Sequence, residues 1–230
     1  MLYKNRQEKE LSDELFKNPP SEYRGAPFWA WNGELDQEEL DRQISIFKKM
    51  GLGGFHMHVR TGLDEPYLEK EFMEHILGCI QTAEREGMLA WLYDEDRWPS
   101  GSAGGKVTKD RPQFSRKTLM LTTEPYSRQQ DGMARPGQGQ ESMRQENGEL
   151  LAVYDIELDQ GGCLSGARRI GKDEAAKGVK WYAYMEHASA DPWFNNQSYV
   201  DTLCPQAIQE FIHITHETYK AYAEKSFGNT

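Results

Sequence analysis

The spacing of apolar positions in this chain changes repeatedly, and each change marks an element boundary. Pro27-Phe28-Trp29-Ala30-Trp31 is a short aromatic run that reads as a strand. Asn32-Gly33 then turns the chain, Asp36 stands at an N-cap position with Glu39 three residues on, and Leu40, Ile44 and Phe47 recur at helical spacing up to Gly51. Leu52 to Met57 is the next strand. Phe72, Ile76, Cys79, Ile80 and Ala83 form one stripe of a helix from Glu69 to Glu86, stopped by Gly87. A third apolar run, Met88 to Tyr93, follows. The order is βαβαβ, and units of roughly 30 to 35 residues predict parallel strands with right-handed crossovers.

From about Thr118 the period falls to two, as in Leu150 to Leu158, bracketed by Gly, Gln and Asp clusters; this predicts an antiparallel insert. Its polar part, Ser127 to Asn147, reads as a mobile hairpin tip or disordered loop without chemistry. Val179 to Glu186 reads as a fourth strand of the first kind. A last helix is expected from Pro205 to Lys225, with Ile208, Phe211, Ile212, Thr215 and Tyr219 on its buried face. The expected fold class is α/β of the (β/α)8 TIM-barrel type, represented by its first four βα units and carrying an antiparallel β-rich insert. The expected divisions are an N-terminal extension over 1–26, the first βα units over 27–116, the insert over 117–178 and the fourth unit over 179–230. The other architecture open at this stage is a small α/β protein that closes its sheet by dimerising.

Composition narrows the partners. A net charge of -10, from 27 basic and 37 acidic residues among 230, argues against nucleic acid and against an anionic membrane surface. Cys79, Cys163 and Cys204 show no disulfide or zinc spacing. With no apolar leader over Met1 to Pro20 and no stretch of the roughly 18 apolar residues a spanning helix needs, the expected location is cytoplasmic.

Chemistry concentrates where the apolar runs end. The first run delivers Trp31 and Asn32; the second delivers His56, His58 and Arg60. The third breaks into Asp94, Glu95, Asp96, Arg97 and Trp98, three adjacent acids followed by a cation and an aromatic ring. The fourth delivers Tyr184 and Glu186, with Trp193 and Asn195 just beyond. Aromatic faces among carboxylate, amide and guanidinium groups are the equipment of a saccharide site. Successive residues of an extended chain point in opposite directions, so Asp94 and Asp96 share a face and Glu95 or Arg97 pairs elsewhere. Glycoside hydrolysis needs two carboxyl groups, and Asp94, Asp96 and Glu186 are the candidates. No cofactor is required. His56 and His58, two apart on a strand, also fit a divalent metal if His187 and a carboxylate join them, which defines a metal-dependent hydrolase as another reading.

Three stretches together resemble a known family: Pro27-Phe28-Trp29-Ala30-Trp31-Asn32, Gly53-Gly54-Phe55-His56-Met57-His58-Val59-Arg60-Thr61-Gly62-Leu63, and Trp91-Leu92-Tyr93-Asp94-Glu95-Asp96-Arg97-Trp98-Pro99-Ser100-Gly101 with Ala103-Gly104-Gly105. They look like the N-terminal part of large bacterial barrel glycoside hydrolases akin to the α-L-rhamnosidases. The likeness is clear from Pro27 to Gly105 and looser from Asn195 onward. It implies a saccharide-binding floor at the strand ends. It also implies a catalytic Asp-Glu pair on a strand after the last helix, and this sequence stops before that strand. The expectation is therefore an incomplete hydrolase. The competing expectation is a non-catalytic carbohydrate-binding or assembly module, a homo-oligomer in which a partner chain completes the half barrel.

Overall fold

In a computed structural model, which describes residues 12–126 and 146–228, the chain builds two sheets that share no strand. The polar segment expected as a hairpin tip lies almost wholly outside the described residues. After a short helix α1 (Asp13–Lys17), strands β1 (Phe28–Trp31), β2 (Gly54–Val59) and β3 (Leu89–Leu92) pair in parallel in that order. The crossovers are α2 (Gln37–Lys49) and α3 (Lys70–Glu86). The βαβαβ reading of the sequence holds here.

Alternation along β1 and β2 explains the packing. Trp29, Trp31, Phe55, Met57 and Val59 point to one face and are buried against Leu40 and Ile44 of α2 and Phe72, Ile76 and Ile80 of α3. Burying each such side chain contributes about 1.5–3 kcal/mol. Trp29 sits edge-on to Trp31, Phe47 and Phe55 at centroid distances of 5.6, 5.4 and 5.3 Å, and its indole N–H donates to Gln43 Oε1 at 2.8 Å. Asp36 caps α2 by accepting the Glu39 N–H at 2.8 Å. The reciprocal contact is not made, because Arg42 offers Glu39 a two-point guanidinium contact, both bonds 2.6 Å, which lowers the Glu39 carboxyl to about 2. Gly87 ends α3 at φ 63°, a left-handed cap that a Cβ disfavours.

The second sheet overturns the barrel expectation. Strands β4 (Lys117–Thr122), β5 (Glu149–Leu158), β6 (Leu164–Ile170) and β7 (Val179–His187) are antiparallel, in the order β4-β7-β5-β6. The segment from Val179 to Glu186 is thus no fourth parallel strand but the interior strand between β4 and β5, so the described residues do not form a TIM barrel. The pairing decides it: β7 is hydrogen-bonded antiparallel to β4 on one side and to β5 on the other, which leaves it no free edge for a strand of the parallel sheet.

The last helix is also divided, into α4 (Pro205–Ile214) and α5 (His216–Ala223). At the junction the buried Thr215 hydroxyl donates back to the Phe211 carbonyl at 2.7 Å, competing with the helical ladder. Tyr219 and Ala223 join the first core, while Ala207 and Phe211 form a second with Ala103, Val107 and Val200. The antiparallel sheet is tied to this second core at its base, where the Arg116 N–H donates to Tyr199 O and the Ala188 N–H to Arg116 O, both at 2.8 Å. No helix among the described residues is long and apolar enough to cross a membrane.

Candidate functional site

The loop after β3 is organised by one carboxylate. Glu95 is fully buried, and its Oε2 accepts the N–H groups of Gly101, Ser102 and Ala103 at 3.0, 2.8 and 2.8 Å. Its Oε1 accepts those of Asp96 and Gly104 at 2.9 and 2.6 Å. Burial pushes the Glu95 carboxyl above its ordinary range, and the backbone N–H groups of Gly104, Ala103, Asp96 and Gly101 act in the opposite direction. The backbone can converge on one side chain because Gly101, Ala103, Gly104 and Gly105 all have positive φ. A Cβ on Gly105 would lie 2.5 Å from the Phe194 carbonyl, so glycine there lets the loop dock on the segment after β7.

That docking brings residues far apart in sequence together. Asn195 Nδ2 donates to Asp96 Oδ2 at 2.8 Å and to the Gly104 carbonyl at 2.9 Å. Arg97 Nη1 donates to the carbonyls of Pro192 and Trp193 at 3.0 and 3.2 Å, with its Nε 3.6 Å from Asp96 Oδ2. The Trp193 indole N–H donates to the Trp98 carbonyl at 2.8 Å. Both indole rings nevertheless remain open to solvent, Trp98 at 66% and Trp193 at 43%. Asp94 lies alongside: Ser100 Oγ donates to its Oδ1 at 2.7 Å, and His216 Nε2 is 3.8 Å from its Oδ2. Asp94, Asp96, Arg97, Trp98, Trp193 and Asn195 therefore form one linked neighbourhood.

The remaining sequence candidates lie elsewhere. Trp31 is 2% exposed and packs against Phe72 at 5.8 Å, in the core rather than at the strand-end surface. Asn32 is exposed at the turn after β1, and Arg60 is exposed just past β2. Tyr184 and Glu186 stand in the antiparallel sheet, both buried, with Glu186 accepting from the Tyr126 hydroxyl and the Glu146 N–H at a place set by β7 and its neighbours. The barrel placement of Glu186 at the end of a parallel strand goes with the barrel itself.

His56 and His58 share the face of the parallel sheet opposite its helices. The His56 ring stacks on Trp91 at 5.0 Å and lies 4.9 Å from Phe28, while His58 meets Tyr93 edge-on at 4.2 Å. No group of three or more His, Cys, Asp or Glu side chains suited to a metal occurs among the described residues. Burial, then the charge of Arg60, then His56 hold the His58 imidazole below its ordinary 6.5. The unfolded chain therefore takes up the proton first, and stability falls as the pH drops through about 6.5 toward the folded value. An NMR titration should place the His58 ring below the ordinary imidazole value, and His58→Phe should flatten this limb of the melting-temperature profile.

Two participants escaped sequence reasoning. Ser100 reads as an ordinary turn residue, and His216 sits in the last helix, where only tertiary structure shows it facing Asp94. The Gly101, Gly104 and Gly105 cluster was the available signal that this loop folds tightly on itself.

Fold and site thus define an α/β protein whose loop after a parallel strand clasps a distant segment around carboxylate, guanidinium, amide and indole groups. No family model matches the chain, and no curated protein matches it. Among solved structures, a rhamnosidase from Novosphingobium sp. PP1Y is similar over 67% of this chain, at 20% identity and a TM-score of 0.38. The chain spans 17% of that structure's length.

Proposed function

We propose that this chain binds a saccharide beyond the end of β3, on the surface carrying Asp94, Asp96, Arg97, Trp98, Trp193 and Asn195, as part of a glycoside-hydrolase-like protein. One observation carries the reading: two solvent-open indoles, that of Trp193 held by its N–H bond to the Trp98 carbonyl, stand beside a carboxylate, a guanidinium and an amide. Exposed rings normally lose entropy on binding, and a ring already tied down, as that of Trp193 is, loses less. Their faces suit the C–H face of a sugar, and the surrounding groups suit its hydroxyls. For hydrolysis, Asp94 and Asp96 are the two carboxyl groups of this neighbourhood, Asp94 half-buried beside His216 and Asp96 buried and tied to Asn195.

The test is titration calorimetry of the chain against a panel of aryl glycosides that includes the rhamnoside. A ring contact is worth about 0.5–1.5 kcal/mol beyond area, so Trp98→Ala should weaken binding up to about tenfold. The ring is exposed, and the melting temperature should stay within a degree or two. Failure of the whole panel to bind, or unchanged affinity in Trp98→Ala, overturns the reading.

A further inference from the structure

The antiparallel sheet presents apolar side chains on its solvent side. In an antiparallel pair, residues directly opposite point to the same face. The register pairs Leu119 with Met185, Leu121 with Ala183, Tyr154 with Trp181, Ile156 with Val179 and Leu158 with Leu164, so these ten side chains share one face. The other face carries Val153, Asp155, Ile170, Tyr184 and Glu186, all buried. On the first face Leu119, Leu121, Leu158, Leu164 and Val179 are 63, 52, 55, 66 and 49% exposed, Tyr154, Ile156, Trp181 and Met185 are half-buried, and the small Ala183 at its middle is buried. Neither hydrophobic core contains any of the ten.

Antiparallel sheets with one wet face ordinarily alternate apolar inward with polar outward. Here the outward face is apolar as well. Five aliphatic side chains about half exposed or more make an apolar patch on the order of a few hundred Å², the size at which such patches mark interaction surfaces.

We infer that this face is a self-association surface, on which the sheet of a second copy of this chain packs face to face in an isologous dimer. Shape and charge both favour that occupant. A flat sheet face complements itself when two sheets stack about 10 Å apart, and a twofold axis then buries one patch from each copy. A chain of net charge -10 resists meeting itself over most of its surface. Among the paired positions of this face the one acid is Glu149, at the end of β5 opposite Met185, and the basic Arg169 stands opposite Tyr154, so stacking brings no carboxylates together at its centre. The surface is distinct from the proposed saccharide site, and neither proposal depends on the other.

Sedimentation velocity of the full chain over micromolar concentrations tests it, with Leu121→Glu on β4 and Leu164→Lys on β6 as variants from opposite edges of the sheet. Leu203→Glu, 91% exposed outside this face, is the control. The wild type should reach twice the 26.5 kDa of one chain. Each sheet variant should raise the dimer dissociation constant at least about thirtyfold with unchanged far-UV circular dichroism, as expected when a charge is placed in a buried contact worth about 2 kcal/mol, and the control should not. A wild type that stays monomeric throughout, or a dimer indifferent to a folded variant at either edge, overturns the inference. Retained saccharide binding in the monomeric variants would keep the two proposals separate.

Discussion

Glu95→Gln is expected to loosen the loop after β3 without unfolding the parallel sheet. The carboxylate accepts five backbone N–H bonds, three on one oxygen and two on the other. A carboxamide keeps one acceptor oxygen and turns an NH2 group toward donors, so at least two buried N–H groups lose their partner. Each such group costs about 1–3 kcal/mol, and the expected loss is roughly 3–5 kcal/mol, concentrated in this loop. Hydrogen exchange reads it directly. The amides of Gly101 to Gly104 should be protected in the wild type, although they lie in a loop, and should exchange fast in the variant while those of β2 remain slow. Equal protection in both proteins would show that the loop is held by something else.

Trp31→Ala should cost about 3–5 kcal/mol, in the range of large core truncations, and lower the melting temperature by roughly 10 °C. A tryptophan in a binding pocket and one in a core make opposite predictions. The first loses affinity at constant stability; the second loses stability while affinity for an aryl glycoside persists in the folded fraction. With 2% exposure and contacts to Trp29 and Phe72, Trp31 belongs to the second class. Trp31→Phe, which keeps an aromatic ring there, should recover most of the loss.

The contrast between these residues shows what the sequence could reveal. The βαβαβ unit was legible because its elements are set by local signals: alternation in β1 and β2, one stripe on each helix, Asp36 as a cap and Gly87 as a stop. The fate of Val179 to His187 was not legible. The same nine residues suit a parallel or an antiparallel neighbour, and non-local pairing with β4 and β5 decides between them. Alternation led to the expectation that Asp94 and Asp96 share a face while Glu95 or Arg97 pairs elsewhere, although β3 ends at Leu92 and these residues lie in the loop beyond it. It gave no sign that the carboxylate would organise the loop, because the donors are main-chain groups that every residue carries. The clasp of Asp96 by Asn195 spans 99 positions. No local pattern encodes such a distance, and the division at Thr215 that sets His216 beside Asp94 is equally silent.

Arg116 and Ala188, which bound the whole antiparallel sheet in sequence, are hydrogen-bonded to one another. The chain leaves the site-bearing part and returns to it through one doorway, so whatever is strung between those residues need only begin and end a few ångströms apart. For an evolving gene this is a permissive place. The excursion can grow, shrink or be exchanged for another fold while Asp96, Arg97 and Trp98 still meet the segment from Pro192 to Asn195, and the same doorway is where an engineer would splice in a reporter or a sensor.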